Sequence, residues 1–532
     1  MKCKMDKNLR ILLLILLLGI TFRIWNLEVI PHWYWDEGVN MNIAWNLANG
    51  RMQWFSLSYP FVPHPPLFFI VTAVMLKLFG NQLLVLRGLC VIYGILTILL
   101  LYLIGKEMFG KKIALLASFL FAIYPTAIYW NRMGFANNQL MFLSVLSLYS
   151  ILLYLNRKGE KWFYLAGILT GLSIITEILG TGLFFSISIL LWVYRREKLL
   201  RFILISAIIP LIFVISMLIL MPDAFIHDLM HNSGRMNYPA LVTSVIIILF
   251  LIYPSRFREI CIEYLYRIYS PVIDEIKKNF PIFYIILSLI VFLMPPSDEM
   301  FVQNFDYFWF GIPGFYLIKE KKNRDILISF FLSFFVILLL LDRSDHMIIP
   351  LYPLFCLGLA VLLDIIFNMS LKYFGEKLEK INVTVLTLIL VFYPLGVVLY
   401  HNTAAFVNGK LLSVEDINTR YMVADFVNSR VDRDDIVLTD SHLSRMINCK
   451  TSVLIQSAAF EGKSIAYMPS DLSRDRFLFN CSHKNAKFIV MLKGTREWAM
   501  NQTALVDMMN EIQNWSTNGI GDYLIYRNPH ID

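Results

Sequence analysis

The sequence predicts a polytopic α-helical membrane protein with a small α/β domain at its C-terminal end. Of its 532 residues, 58% are hydrophobic and only 16% are charged, and the mean hydropathy is +0.61. Soluble domains are about 45–50% apolar and about 25% charged, so the composition excludes an ordinary globular protein. The apolar residues form blocks, several long enough for a ~30 Å hydrocarbon core. The net charge of +8 lies in short clusters beside these blocks, which indicates membrane topology and not nucleic-acid binding.

Charged loops predict which side of the membrane each connection faces. Loops with surplus Lys and Arg belong in the cytoplasm, and acidic or mixed loops belong outside. The cytoplasmic loops are 106–112, 156–161, 195–201, 256–278, 319–324 and 372–380, and the outer ones are 31–66, 131–138, 221–240, 296–306 and 342–346. The basic N-terminus is followed by an apolar run with no small-residue cleavage site, so we expect a retained signal anchor with a cytoplasmic N-terminus.

These loops predict thirteen membrane spans. The run 66–79 would be only ~21 Å long as a helix, so it is predicted to lie in the outer interface. The stretch 162–194 begins and ends beside cytoplasmic charge, which predicts two short helices turning near Glu177. The predicted spans are 11–30, 83–104, 113–130, 139–155, 162–176, 180–194, 199–221, 240–254, 280–295, 307–318, 326–341, 347–367 and 382–400.

The odd number of spans places residues 402–532 outside, as a domain distinct from the transmembrane domain 1–401. This tail has strand-like runs at 436–439, 488–492 and 523–526 and helical runs at 417–429 and 504–515, which predict an α/β domain. Three N-x-S/T sequons, at Asn480, Asn501 and Asn514, fit an outer location. Cys449 and Cys481 either pair there or remain free, and the absence of a CxxC pair argues against a zinc or redox centre.

Two adjacent carboxylates, Asp36 and Glu37, follow the aromatic residues 33–35 at the end of the first predicted span. Charged groups near hydrocarbon are costly and tend to mark functional sites. The alternative is a solvated acidic loop that keeps this end of the span outside. His64 precedes the interfacial helix, whose free N–H groups attract anions, and it is either a phosphate ligand or a structural residue.

The later outer loops add further polar candidates. Arg132 is either a phosphate clamp, since a guanidinium grips phosphate with two hydrogen bonds, or a snorkelling anchor. Asn137 and Asn138 stand in the same loop and are candidates for substrate binding. Arg343 and His346 precede the twelfth predicted span and form either part of the site or a surface ion-pair cluster.

The order of these motifs resembles the polyprenyl-phosphate-sugar transferases of the GT-C fold, which include protein O-mannosyltransferases and lipid A aminoarabinose transferases. The resemblance rests on WDEG at 35–38, HPPL at 64–67, KLFG at 77–80, Arg87, GKEMFGKK at 105–112, the 132–137 loop and HMIIPLYPLFCLGLA at 346–360. Relatives usually carry an acidic residue at position 137 and often Lys at 177, so the metal site and the donor's sugar stay open. The tail lacks the WWDYG motif of oligosaccharyltransferases.

The resemblance implies that a sugar moves from a polyprenyl-phosphate carrier to a protein, glycan or lipid acceptor on the outer face. In this hypothesis Asp36 is the general base for the acceptor, and Glu37 positions the acceptor or supports Asp36. If a divalent metal takes part, the same two carboxylates would ligate it. A single displacement predicts inversion at the anomeric carbon.

Departing phosphate charge needs cations, so His64 and Arg132 are predicted to hold the donor phosphate. By resemblance, His346 and Arg343 would lie at the same cavity. The alternative function is a transporter or flippase for a lipid-linked or anionic solute. Such proteins tend to show internal repeats and polar residues at mid-membrane, which the sequence does not display.

Overall fold

The structure is a computed structural model that describes residues 6–50, 65–234, 305–340, 345–375, 404, 406–463 and 472–531. His64, Arg343 and the predicted spans 240–254, 280–295 and 382–400 lie outside the described residues. Most of the described chain before residue 376 is α-helical. These helices are α1 (Lys7–Ile24), α2 (Trp35–Ala48), α3 (Leu67–Phe79), α4 (Leu83–Phe109), α5 (Lys111–Ile123), α6 (Pro125–Asn131), α7 (Ala136–Leu155), α8 (Lys161–Ile174), α9 (Thr181–Tyr194), α10 (Leu199–Leu220), α11 (Pro222–Gly234), α12 (Phe305–Tyr316), α13 (Lys321–Leu340) and α14 (Tyr352–Gly375).

Five helical segments of the described residues are long and apolar enough to cross a membrane, and six if a bent pair counts as one span. The protein is therefore a helical membrane protein, while the count of thirteen spans and the side of each terminus stay predictions. The five segments are Leu83–Phe109, Ala136–Leu155, Arg196–Leu220, Lys321–Leu340 and Asp345–Ile365.

The predicted span 113–130 forms a bent pair of helices and not one straight helix. It is broken into α5 and α6, whose axes differ by 62°. The break lies at Tyr124, which has an extended backbone (φ −64°, ψ 110°) before Pro125. A proline disfavours the helical conformation of the residue before it and has no N–H to continue the helix, so the bend follows from local chemistry.

The segment between α1 and α4 contains two helices that do not belong to the long spans. The helix α3 forms at the predicted interfacial run, and α2 begins at the WDEG motif and packs against α3. The N–H of Leu67 donates to the carbonyl of Ile175 at 2.9 Å, which joins α3 to the turn between α8 and α9. That turn is a 3-10 helix, Ile178–Gly180, so the short hairpin near Glu177 forms where the sequence predicts it.

The C-terminal part contains a five-stranded sheet in the order β2-β1-β3-β5-β4, with β1 parallel to β2 and β3, and β5 antiparallel to β3 and β4. Strands form at the three predicted runs. Cys449 and Cys481 are free thiols. The strands are β1 (Ile436–Leu438), β2 (Lys450–Ser452), β3 (Phe488–Leu492), β4 (Ser516–Ile520) and β5 (Tyr523–Arg527), and the helices are α15 (Ile417–Asn428), α16 (Leu454–Phe460), α17 (Lys493–Met500) and α18 (Thr503–Ile512).

The helices α12 and α14 approach each other through glycine. A Cβ placed on Gly358 would overlap the carbonyl oxygen of Gly311, and one on Gly314 would overlap the carbonyl oxygen of Gly358. Glycine at these positions lets the two backbones touch, which is a common way for membrane helices to pack closely.

We therefore expect Gly358→Ala to force α12 and α14 apart and to lower the stability by an amount on the order of 1–3 kcal/mol. Gly88→Ala in α4 is the matched control, because a Cβ there has no atom within 4 Å. The thermal unfolding midpoint of the purified protein in detergent should fall for Gly358→Ala alone. Equal midpoints for both variants would contradict the close crossing.

Candidate active site

The candidate site is built on the first turn of α2, where Glu37 is completely buried. Arg87 of α4 donates to both of its carboxylate oxygens, from Nε at 2.9 Å and from Nη2 at 2.7 Å. The backbone N–H groups of Tyr34 and Gly134 donate to the same carboxylate at 3.0 and 2.8 Å. Glu37 therefore ties α2 to α4 and to the second outer loop, and its charge is neutralised within the protein.

Arg87 also organises the chain between α1 and α2. Its Nη1 donates to the carbonyls of Leu27 and Pro31, both at 3.0 Å. Arg87 and Glu37 are each 0% exposed. Removing one partner of such a buried pair costs about 3–5 kcal/mol, because the other charge is left uncompensated. Arg87 thus supports the site, a role that the sequence motif alone did not reveal.

As a pair of metal ligands, Asp36 and Glu37 do not fit. Each oxygen of Glu37 already accepts from Arg87 and from a backbone N–H, so its lone pairs are committed. In the part of the chain that the structure describes, no three His, Cys, Asp or Glu side chains are grouped for a metal ion.

Asp36 stands next to Glu37 on α2 but in a different environment. Its side chain is half-buried, and no described residue holds its carboxylate with a hydrogen bond or an ion pair. Burial, and then the negative charge of Glu37, raise the pKa of Asp36 to about 6. A carboxylate with this pKa is ionised at neutral pH and is a stronger base than an ordinary aspartate.

The guanidinium of Arg132 donates to backbone carbonyls, which argues against the predicted phosphate clamp. All three nitrogens of its guanidinium donate to backbone carbonyls: Nη1 to Phe22 at 2.8 Å, Nη2 to Trp25 at 2.6 Å, and Nε to Ile30 at 3.2 Å. The side chain is 2% exposed. Arg132 satisfies carbonyls at the C-terminal end of α1, where cations are favoured.

The two asparagines of this loop differ. Asn138 is structural: its Nδ2 donates to the carbonyls of Trp130 and Met133 at 2.9 and 3.0 Å, and its Oδ1 accepts from Asn131 at 2.8 Å. The Nδ2 of Asn137 is buried and has no hydrogen-bond partner among the described residues. Substrate binding by Asn137 therefore stays a prediction, and its Nδ2 is available as a donor. The side-chain amide of Asn138 already bonds to neighbouring residues.

The structure brings His346 toward the first outer loop. It lies in the 3-10 helix Asp345–Leu351, which packs against α7. The ring of His346 stacks on Phe135 with centroids 4.6 Å apart and lies 6.1 Å from Trp130. Tyr34 contacts the same two rings, at 5.4 and 6.1 Å. Two aromatic residues thus connect His346 to the turn that carries Asp36.

The C-terminal domain contributes residues that the sequence analysis missed. Ser441 Oγ donates to the carbonyl of Trp35 at 3.0 Å, and His442 Nε2 lies 2.6 Å from the carbonyl of Tyr34. These residues belong to a polar run, 439–442, directly after the buried strand β1. Polar residues at the end of a buried strand can indicate a functional site, and this run has that pattern. Nothing in the sequence indicates which surface these residues contact.

We expect the charges of Glu37 and Arg87 to be strongly coupled. Arg87→Met should cost about 3–5 kcal/mol, and the double variant with Glu37→Gln should lose less than the sum of the single variants, because neither charge is then left alone. Unfolding in detergent would measure this cycle.

The control for this cycle is Lys111→Ala, which removes the ion pair with Asp6. Those two side chains are 50% and 56% exposed, so the expected cost is under about 1 kcal/mol. Strict additivity of the Glu37 and Arg87 variants would contradict a coupled buried pair.

Comparisons with known proteins agree with this architecture. Residues 63–222 match the family model described as dolichyl-phosphate-mannose-protein mannosyltransferase. A dolichyl-phosphooligosaccharide-protein glycotransferase of Archaeoglobus fulgidus is 27% identical over 322 residues, which are 56% of this chain and 50% of that protein. An uncharacterized Aquifex aeolicus protein is 25% identical over 346 residues, 64% of this chain and 60% of that one. The chain thus spans about half the length of the first relative.

Solved structures share the fold over almost the whole chain. The Archaeoglobus fulgidus oligosaccharyltransferase has a TM-score of 0.57 and 14% identity, covering 97% of this chain and 73% of that one. ArnT of Cupriavidus metallidurans, bound to undecaprenyl phosphate, has a TM-score of 0.54 and 12% identity, covering 98% and 97%. The Archaeoglobus fulgidus enzyme and ArnT are glycosyltransferases, and this chain shares the GT-C membrane fold of these enzymes.

Proposed function

We propose that the protein transfers a sugar from a polyprenyl-phosphate carrier to an acceptor hydroxyl or amine on the outer face of the membrane. The observation that carries the proposal is the environment of Asp36, an ionisable carboxylate beside a neutralised one. Two similar proteins lend support by their ligands: ArnT was solved with undecaprenyl phosphate, and AglB of Archaeoglobus fulgidus with an inhibitory peptide and a dolichol-phosphate. A protein, a glycan and a lipid are all acceptors that fit this chemistry.

In the proposed reaction, Asp36 takes the proton of the acceptor as the acceptor oxygen or nitrogen bonds to the anomeric carbon. The bond from that carbon to the phosphate oxygen breaks, and the polyprenyl phosphate leaves as the anion. Phosphate is a good leaving group, so the acceptor needs a base more than the donor needs an acid. A single displacement through an oxocarbenium-like state inverts the anomeric configuration.

Glu37 supports Asp36 and does not itself touch the substrate in this proposal. Its buried ion pair with Arg87 holds the first turn of α2, and its negative charge helps to raise the pKa of Asp36. Two adjacent carboxylates with different environments can in this way take different roles. Fixed placement matters because catalysis depends on the geometry of the base.

For the donor phosphate, we propose His346 together with His64 and Arg343. His346 lies against Phe135 in the described structure, and Arg343 stands three residues before it in the chain. His64 stands directly before the segment that leads into α3, whose first N–H meets the hairpin turn at Ile175. Cationic side chains at these positions would stabilise the departing phosphate charge. Asn137 is the proposed amide donor to the substrate.

The direct contact between α2 and the C-terminal domain supports placing both on one side of the membrane. Residues of α2 and of the loop 440–446 form hydrogen bonds, which supports the proposal that both lie on the same side of the membrane. The distribution of Lys and Arg predicts that this side is the outer one, with a cytoplasmic N-terminus.

The test of the function is incubation of the purified protein in lipid nanodiscs with synthetic polyprenyl-phosphate sugars and candidate acceptors. Transfer predicts release of free polyprenyl phosphate together with a new glycoside of inverted configuration. Movement of a lipid-linked or anionic solute across vesicles without bond cleavage would instead identify a transporter and refute the proposal.

We expect Asp36→Asn to abolish transfer without unfolding the protein. Because the pKa of Asp36 is raised in the folded state from its usual 3.8 to about 6, the stability that its protonation contributes is present below pH ~4 and is lost as the pH rises through ~6. The neutral Asn should therefore leave the thermal midpoint at pH 8 unchanged or higher. Asp425→Asn, at an exposed position on α15, should keep full activity. Retained transfer by Asp36→Asn would remove Asp36 from the mechanism.

The pH dependence of kcat/KM is a separate prediction. Protonated Asp36 cannot accept a proton, so kcat/KM should fall about tenfold per pH unit below a midpoint near pH 6. The profile is measured under conditions where chemistry limits the rate, and a flat profile from pH 5 to pH 8 would contradict the assignment.

A further inference from the structure

The loop 440–446 of the C-terminal domain lies directly on the first turn of α2. A Cβ placed on Gly38 would come within 2.5 Å of Ser441 Oγ and 2.8 Å of the Ser441 carbonyl carbon. Only a residue without a side chain allows this approach. The glycine of the WDEG motif is therefore a contact point for the C-terminal domain, two residues after Asp36.

Two side chains of this loop donate to carbonyls of the residues that precede Asp36. Ser441 Oγ donates to Trp35 O at 3.0 Å, and the ring of His442 meets Tyr34 O at 2.6 Å. A carbonyl can only accept, so Nε2 of His442 carries the proton. In the opposite direction, Asn42 Nδ2 of α2 donates to the carbonyl of Ser441 at 3.2 Å.

The chemical state of His442 suits this contact. Burial and the positive charges of Arg420 and Arg445 hold the pKa of His442 well below its ordinary value, so the ring stays neutral with a single N–H. The ring also lies 5.1 Å from the ring of Trp33. His442 thus has one donor, and that donor points at α2.

The loop itself is held firmly within the C-terminal domain. Asp440 Oδ1 accepts from the backbone N–H groups of His442 and Leu443 at 2.9 and 2.8 Å. Arg420 forms an ion pair with Asp440 at 3.2 Å, and the hydroxyl of Tyr523 in β5 donates to Asp440 at 3.1 Å. The position of Ser441 and His442 is therefore set by the sheet and by α15.

A second set of contacts with the C-terminal domain holds Trp33, which precedes the first turn of α2. The N–H of Trp33 donates to Glu415 at 2.9 Å, and Glu415 pairs with Arg420 at 2.5 Å. The guanidinium of Arg420 lies 4.7 Å from the centroid of the Trp33 ring. The chain on both sides of Asp36 is thus attached to the C-terminal domain, at Trp33 and at Gly38.

We propose that Ser441 and His442 are positioning residues for Asp36, and that the C-terminal domain completes the active site by fixing the first turn of α2. This inference rests on the proposed function. Neither residue touches the reacting atoms; each acts by holding a backbone carbonyl next to the base. A displacement of ~1 Å at a catalytic group can cost on the order of a hundredfold in rate.

The test compares two variants of one residue. His442→Phe keeps a ring against Trp33 and removes the donor, whereas His442→Gln keeps an N–H that can reach the Tyr34 carbonyl. We expect His442→Phe to lower kcat ten- to a hundredfold with an unchanged KM for the donor, and His442→Gln to recover most of the loss.

The matched control is His483→Gln, in a second buried histidine of the same domain. His483 contacts Glu461 at 2.7 Å and Glu511 at 3.0 Å, both within that domain. This variant should alter the stability of the domain without altering kcat at temperatures below unfolding. A loss of kcat common to His442→Phe and His483→Gln would show a general effect of destabilisation and would overturn the proposal.

Amide hydrogen exchange of residues 33–42, measured by mass spectrometry, gives a readout that needs no activity. His442→Phe should speed exchange in this segment, while His442→Gln and His483→Gln should not. Unchanged exchange in His442→Phe, or faster exchange with an unchanged kcat, would overturn the positioning role. If the native protein transfers no sugar from any donor, the proposed function fails, and the exchange result still decides whether the loop holds α2.

Discussion

The end of the helical domain that carries the candidate site depends on the buried ion pair between Glu37 and Arg87. Two charges removed from water are unfavourable unless each finds nearly all of its hydrogen-bond partners, and here both do. Glu37 accepts from Arg87, Tyr34 and Gly134, and Arg87 donates further to two carbonyls of the preceding loop. One interaction therefore joins α4, both outer loops and α2.

This arrangement explains how neighbouring carboxylates acquire different properties. Glu37 has its charge compensated and serves the structure. Asp36 has no such partner among the described residues, and burial together with the charge of Glu37 raises its pKa to about 6. The ion pair of Glu37 with Arg87 fixes α2, and Asp36 remains available as a base at neutral pH. In the proposed function, structural support and chemistry are divided between two adjacent positions of one motif.

Arg23 and Arg132 also donate to backbone carbonyls near the candidate site. Arg23 donates to Asn131 and to the carbonyls of Ala122 and Phe121, each at 3.0 Å, and Arg132 donates to carbonyls after and within α1. These hydrogen bonds join α1 to the bend between α5 and α6. Helix ends there leave carbonyls without partners inside the helix. Ser441 and His442 of the C-terminal domain contact the first turn of α2 and the residue before it. The site is accordingly formed by three parts of the chain that are distant in sequence.

The membrane class, α3, the α8–α9 hairpin and the strands β1, β3 and β5 are predictable from the amino-acid sequence. Hydropathy, charge and alternation are properties of short segments, so they can be read without knowing what a segment touches. The sequence does not predict the partners of Arg132, whose acceptors are 102 to 110 residues away, or the contact of His442 with Tyr34, 408 residues away. A guanidinium or an imidazole suits phosphate and carbonyl oxygen equally well, so residue type does not predict which one it meets. That choice depends on which backbone groups the folded chain leaves unpaired nearby, a property of the packed helices and not of any local pattern.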